Sequence, residues 1–277
     1  MKYKMLVLDM DDTLLTDNHT ISKENRAMIA MAQAKGVEVV LASGRPTPAM
    51  THYAKDLQNS YMISFNGAVV TDLKNDTVIF EQSLTKEQIH ELHDYSLKMK
   101  THIITYINDT IVSETHSEFI EVERSITGMP HELVPDFKAA VTSNAVKCIL
   151  LEDPSYLKTV ESDLKQAMPD LSVSMSKPFF LEVAPNGIDK AASIAFLARK
   201  LDIDQSEIIA VGNAGNDLTM IQYAGLGVWV DNVTPELRGF GDVIVASNNN
   251  HGVAEVIERY ILGHINFMGI KQKVFPF

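Results

Sequence analysis

The chain carries a single cysteine, Cys148, among 277 residues. No intrachain disulfide can form, and a reducing compartment suits such a protein. Tryptophan is equally scarce, at one residue. No apolar run approaches the ~20 residues of a membrane span. The opening segment, Met1 to Leu8, is too short and too quickly acidic to read as a signal peptide. Basic residues are under-represented: 24 Lys and Arg face 36 Asp and Glu, a formal charge of -12. That balance argues against a nucleic-acid-binding surface, though not against a nucleotide-sized substrate. It also means that an anionic substrate has to be held by a local cationic site and not by the global field. Internal repeats, low-complexity tracts and long linkers are missing too. These absences point to a cytoplasmic protein with neither nucleic acid nor a membrane as partner, and the length allows one large domain or two modest ones.

What is present begins with Leu6-Val7-Leu8-Asp9-Met10-Asp11-Asp12-Thr13. A continuous apolar run from Met5 to Leu8 reads as a buried strand, and it ends in three carboxylates within four residues. Open α/β sheets bind ligands at that end of their strands. Clustered carboxylates are costly to bury unless a cation neutralises them. A solvated turn accounts for this stretch as well as a metal site does, since Asp is common in turns.

The pattern that follows is βαβαβ. Ser22 caps a helix that Gly36 ends, Val37 to Ala42 is a strand stopping at Ser43-Gly44-Arg45-Pro46, and Pro46 suits the first turn of a helix to about Leu57. Tyr61 to Phe65 is a third strand, ending in Asn66-Gly67. A parallel sheet with right-handed crossovers is expected. Residues 68–84 read as two strands around Lys74-Asn75-Asp76. Thr85 and Gln88 form a capping box for a helix to about Lys100. Strands then arrive in pairs between helices, with Leu171 to Val183 the last of them. This marks an inserted α+β domain at 85–185 within a core formed by 1–84 and 186–277. The core pattern resumes with a helix capped by Asp189, a strand at Ile208 to Val211 ending in Gly212-Asn213-Ala214-Gly215-Asn216-Asp217, and the short strand Gly227 to Val230. A helix from Pro235, a strand at Val243 to Ala246 and a helix from Gly252 to Leu262 complete it. Residues 264–277 show no period.

Asp9 and Asp11, Ser43, Lys190 and the 213–217 loop all fall at carboxyl ends of core strands or at starts of core helices. Together with Phe-Asn-Gly-Ala and a late His-Gly-Val-Ala, the ordered set Asp-x-Asp-x-Thr, Ser-Gly-Arg, helix-opening Lys and Gly-x-x-x-Asn-Asp resembles the haloacid dehalogenase superfamily, in its Cof-like phosphatase branch with a large inserted cap. The resemblance covers nearly the whole chain. It implies a Rossmann-like α/β core and a Mg²⁺-dependent phosphatase acting on small phosphorylated metabolites such as sugar phosphates, nucleotides or flavin-pathway phosphates, as a monomer or weak homodimer. Asp9 is then the nucleophile that forms an aspartyl-phosphate, Asp11 the general acid and base, and Lys190 the charge that neutralises the phosphate and the aspartyl-phosphate. Phosphate falls to Met10, Ser43, Gly44, Lys190 and Asn216, and the metal to Asp9, Asp11, Asn213 and Asp217. Thr13 is implied to fix the loop and orient Asp11, and an ordinary turn hydroxyl explains it equally well. The inserted domain serves as the lid that sets substrate choice.

Two positions depart from the family's pattern. Asn213 stands where Asp is usual, which removes a charged ligand and should weaken metal binding. Asp12 stands where Gly is usual, and its carboxylate is a candidate to offset that loss. A phosphomutase and a non-catalytic phosphometabolite-binding protein are the competing readings; the pairing of Asp9 and Asp11 with Lys190 argues against the second. His102, His116 and His131 lack metal-ligand spacing and read as ordinary histidines. Cys148, in an apolar strand, reads as buried and inert.

Overall fold

The computed structural model describes residues 2–263; the patternless segment 264–277 lies outside the described residues. The described residues divide into two compact units, one of residues 2–44, 52–79 and 189–263 and the other of residues 45–51 and 80–188. In chain order, the first unit supplies β1 (Met5–Leu8), α1 (Lys23–Ala34) and β2 (Glu38–Ala42), followed by α2 (Thr47–Asp56), whose first turns group with the second unit. Then come β3 (Tyr61–Ser64), β4 (Val69–Asp72) and β5 (Thr77–Glu81). The second unit runs through α3 (Lys86–Met99), β6 (His102–Ile107), β7 (Thr110–Ser113), α4 (Glu118–Thr127), β8 (His131–Leu133) and α5 (Phe137–Ala140). It closes with β9 (Cys148–Leu151), α6 (Pro154–Ala167), β10 (Leu171–Lys177) and β11 (Phe180–Pro185). The chain returns to the first unit with α7 (Lys190–Lys200), β12 (Ile208–Gly212), α8 (Leu218–Tyr223), β13 (Leu226–Val230), β14 (Val243–Val245) and α9 (Gly252–Val256).

The first unit is a Rossmann-like α/β fold. Its eight-stranded sheet has the order β14-β13-β12-β1-β2-β3-β4-β5. The pairs from β14 through β3 are parallel, and β3–β4 is antiparallel. β1 and β12 are buried along their whole length, which is why both read as unbroken apolar runs. β1 lies between β2 and β12, with Leu8 opposite Leu41 on one side and Val211 on the other. The residues just past these strands, Asp9, Ser43 and Asn213, therefore emerge side by side at the carboxyl edge. Trp229, the sole tryptophan, is fully buried on β13, and its indole nitrogen finds no hydrogen-bond partner among the described residues.

The second unit is an α+β layer built on a six-stranded sheet of order β10-β11-β9-β6-β7-β8. All described pairs are antiparallel except β7–β8. Its core gathers Ile89, Leu92, Phe137, Leu157, Val160 and Leu164 with Cys148, Leu150 and Leu181 from the sheet. Burial pushes the Cys148 thiol up to about 12, so it stays protonated and inert. The Thr85–Gln88 capping box forms as the sequence suggests.

Two elements differ from the sequence expectation. Leu171 to Val183 is a hairpin and not one strand: Pro178 cannot donate to the ladder, and the chain reverses at residues 178–179. The helix expected from Pro235 is a turn followed by one tight helical turn at Arg238–Phe240. Gly239 and Gly241 weaken any longer helix there, and the Arg238 guanidinium bonds back to the Asp231 carboxylate at 2.9 Å. Among the described residues no helix is long and apolar enough to cross a membrane.

Candidate active site

The site is built where β1 runs out. Asp9 is extended and its amide still donates to Val211 on β12, so the end of the sheet fixes its position. The chain then makes a tight turn over residues 10–14, which the Leu15 amide closes on the Met10 carbonyl at 2.9 Å. Asp12 occupies the left-handed region, at φ 56° and ψ 14°. That conformation is natural for glycine and tolerated by Asp. The Asp12 side chain is exposed and its carbonyl accepts from Asn232 at 2.7 Å.

Lys190 opens α7, and Asp189 caps that helix by accepting from the Ala192 amide at 2.7 Å. The Lys190 side chain is completely buried, and its ammonium donates to Asp9 Oδ1 and to Asp217 Oδ1, each at 2.7 Å. A lysine at a helix start opposes the helix dipole, and the two carboxylates are what hold it there. Asp217 in turn closes the 213–217 loop: its Oδ2 accepts from the amides of Asn213 at 2.9 Å and Ala214 at 3.0 Å. Thr13, fully buried, donates to Asn213 Oδ1 at 3.1 Å. The hydroxyl that the resemblance assigned to Asp11 thus ties the first turn to the 213–217 loop.

The electrostatics follow from burial. Two carboxylates share one ammonium, a formal charge of −1 in the interior. Burial first, and then the neighbouring Asp217, push the Asp9 carboxyl up to about 7, against the opposing pull of Lys190 and the Thr13 hydroxyl. Burial alone would lower the Lys190 ammonium, yet Asp9 and Asp217 together hold it above its ordinary value. The cluster is therefore short of one positive charge. Among the described residues the donors around that deficit are carboxylate and amide oxygens, with no sulfur or imidazole nitrogen, a set suited to Mg²⁺. Asp9 and the Asn213 amide oxygen fit such an ion directly. Asp217 fits less well, because the ammonium and two amides already occupy three of its roughly four acceptor directions.

The other residues singled out from sequence fall around this cluster in different ways. Ser43 is almost fully buried, and its backbone continues the sheet by donating to Ile63 and accepting from Asn66, both at 3.0 Å. Met10 has a fully buried side chain, so only its backbone can serve a phosphate. Asp11 is half-exposed, with Oδ1 3.9 Å from His19 Nδ1.

Asn66 is a participant that the sequence reading left out of the site. It follows β3 at φ 56°, after Phe65 at φ 52°, and two successive side-chain-bearing residues in that region mark a held conformation. Asn216 Nδ2 donates to Asn66 Oδ1 at 3.0 Å, and a side chain added at Gly44 would lie 3.0 Å from the same oxygen. Gly44, Asn66 and Asn216 thus form one wall. Gly67 follows at φ 106°, and a Cβ there would fall 2.2 Å from the Asp189 carbonyl oxygen. Ser193 on α7 donates to the Gly67 carbonyl. The Asn-Gly turn signal after the third strand was the trace of this in the sequence.

Residues 6–257 match the family model of the haloacid dehalogenase-like hydrolases. A putative phosphatase of Bacillus subtilis, YxeH, is 33% identical over 94% of this chain and 99% of its own length. The 5-amino-6-(5-phospho-D-ribitylamino)uracil phosphatase YcsE of the same organism is 31% identical over 94% of this chain and 96% of its own. Among solved structures, a haloacid dehalogenase-like hydrolase from Bacteroides thetaiotaomicron superposes with a TM-score of 0.87 at 34% identity, covering 93% of this chain and 99% of that one. Fold, site and relatives define an enzyme, a hydrolase of the phosphatase class. The chain belongs to the haloacid dehalogenase-like hydrolase family.

Proposed function

We propose that the protein is a Mg²⁺-dependent phosphatase that hydrolyses small phosphorylated metabolites through an aspartyl-phosphate on Asp9. The observation that carries this reading is the buried Asp9–Lys190–Asp217 cluster. A buried carboxylate held by an ammonium and short of one positive charge suits a nucleophile that must meet a dianion. Mg²⁺, when bound, supplies that charge and offsets the repulsion between carboxylate and phosphate.

In the first step an Asp9 carboxylate oxygen attacks phosphorus. The bond to the leaving oxygen breaks, and Asp11 gives that oxygen its proton, releasing an alcohol. In the second step Asp11 takes a proton from water, the resulting hydroxide oxygen attacks phosphorus, and the bond to Asp9 breaks to release phosphate and regenerate the carboxylate. Lys190 holds charge on the phosphoryl oxygens in both steps. Ser43, the Gly44 backbone and Asn216 are assigned to bind the transferring group, and the Asn66 bond keeps Asn216 in place. Sugar phosphates, nucleotides and flavin-pathway phosphates are the substrate classes in view; the B. subtilis ribitylaminouracil phosphatase supports the last of these. We expect the protein to work as a monomer or weak homodimer in the cytoplasm.

Wild type is expected to hydrolyse p-nitrophenyl phosphate with Mg²⁺ and Asp9→Asn to lose the activity, with a panel of phosphorylated metabolites ranked by kcat/KM naming the substrate class. Asn213, neutral where a charged ligand is usual, favours a second reading as a phosphometabolite-binding protein. Equal background rates for wild type and Asp9→Asn would establish that alternative.

A further inference from the structure

Within the second unit, three side chains far from metal-ligand spacing in the sequence come together. His116 follows β7, Glu121 lies in the first turn of α4, and His131 opens β8. One donor atom from each lies within 4.8 Å of the other two. The cause is the one parallel pair of that sheet. β8 returns alongside β7 with His131 opposite Ile111 and Leu133 opposite Ser113, so the excursion through α4 ends next to where it began. The two imidazoles meet edge to face with centroids 5.9 Å apart.

The bonds around His131 decide which nitrogen it can offer. Ser113, completely buried, donates its single hydroxyl proton to the Thr115 carbonyl at 2.8 Å, an atom that can only accept. The same oxygen lies 2.7 Å from His131 Nε2 and therefore accepts there. Both contacts are hydrogen bonds together only when Nε2 carries the proton, the tautomer that leaves a lone pair on Nδ1. An imidazole whose one N–H is anchored by a hydrogen bond while its other nitrogen is free to coordinate is the arrangement found behind metal-bound histidines. Among the described residues, Glu121 is hydrogen-bonded by Arg124, at 3.2 Å and with both side chains about half exposed, a weak surface pair that leaves its second oxygen to coordinate, and its charge already acts on His131.

We propose that His116, Glu121 and His131 form a binding site for a borderline transition-metal dication, Zn²⁺ foremost. Two imidazoles and a carboxylate with water in the fourth position make a tetrahedral zinc donor set. Mg²⁺ prefers all-oxygen sites, so the oxygen donors around Asp9 and this nitrogen-rich cluster select different ions. Neighbouring ligands of a tetrahedral zinc stand about 3.3 Å apart. Binding therefore requires the exposed His116 and Glu121 side chains to rotate inward from their present spacing of up to 4.8 Å. The bound ion would pin α4 to the β7–β8 edge.

The test is a Zn²⁺ titration of the chelator-stripped full chain against a chromophoric competitor, with excess Mg²⁺ present to occupy the site around Asp9. One zinc equivalent is expected, with His116→Ala and His131→Ala each weakening it by about 100-fold. Ser113→Ala keeps all three donors and is expected to weaken zinc by roughly 10-fold, the usual effect of losing a supporting hydrogen bond. Zinc should also shift the ¹⁵N resonance of His131 Nδ1 and leave Nε2 protonated. His116 is exposed, so its variant is expected to fold, and near-UV circular dichroism checks that. A His116→Ala protein that binds zinc as tightly as wild type, or imidazole resonances of His116 and His131 that zinc does not move, would overturn the proposal.

Discussion

The Lys190 ammonium lies 2.7 Å from Asp9 Oδ1, across 181 positions of sequence and with no access to solvent. A second carboxylate, Asp217, meets the same nitrogen at the same distance. Removing the lysine therefore strands two buried carboxylates against each other. Lys190→Met is expected to lose about 3–5 kcal/mol of folding stability near neutral pH, the scale for breaking a buried ion pair. The loss should shrink as pH falls and the acids take up protons. Phosphatase activity should fall by at least ~100-fold, since preorganised charge of this kind is worth about 3 kcal/mol in other active sites. Urea midpoints at several pH values and p-nitrophenyl phosphate turnover measure both effects.

The raised Asp9 carboxyl fixes a pH dependence. Its folded value, about 7, lies above the ordinary 3.8 of an unfolded aspartate. The folded state therefore binds the proton more tightly, and the stability this contributes is lost as pH rises between about 4 and 7. Other carboxyls, Asp17 and Asp72 among them, are held low and give the opposite slope. The difference between wild type and Asp9→Asn isolates the site. Without metal, the variant should gain on wild type as pH rises through this window and hold its advantage at pH 8. Mg²⁺ should reduce that advantage; a wild-type-minus-variant difference independent of pH would contradict the electrostatic account.

Asn213→Asp restores a formal charge beside the cluster while keeping an oxygen in reach of the Thr13 hydroxyl. The Mg²⁺ concentration for half-maximal activity should drop several-fold. An unchanged metal titration would show that residue 213 is not a ligand.

Gly67→Ala tests how the lysine is delivered. Its φ of 106° and the 2.2 Å approach of a Cβ to the Asp189 carbonyl leave alanine no room. A loss of about 1–3 kcal/mol is expected from crowding and backbone strain. Activity should fall as well, because the displaced residue caps the helix that Lys190 opens. Equal kcat in a variant with a lowered urea midpoint would show that the strain stays local.

Asn66→Ala removes the anchor of Asn216 but no charge. Folding should change by no more than about 1 kcal/mol, the scale of one hydrogen bond, while KM for p-nitrophenyl phosphate rises several-fold. KM and the urea midpoint, read on the same preparation, separate the two effects.

Much of this was legible in the letters. Strands buried on both faces read as apolar runs, and the parallel order then brings the residues after β1, β2 and β12 to one edge, so the sequence pattern alone places Asp9, Ser43 and Asn213 there. Lys190 announced itself by conflicting with its helix dipole. Asn66 did not, because its part depends on a left-handed backbone that a strand-end Asn-Gly only hints at. The division of labour in Asp217, acceptor for two amides as well as the ammonium, depends on how the loop folds back. His116 and His131 were separated by a helix whose return path no periodicity reveals. The hairpin at Pro178 was the more readable miss, since proline inside a strand pattern is itself a warning.

Trp229 is fully buried on β13, one strand in from the edge of the first unit's sheet, and the chain has no other indole. Its fluorescence reports on one unit alone, while circular dichroism follows helices in both. Heating or denaturant curves recorded by the two optical signals will coincide if the units melt as one and separate if the inserted unit opens first. The sequence has thus provided its own single-site probe of folding cooperativity, with no label to attach.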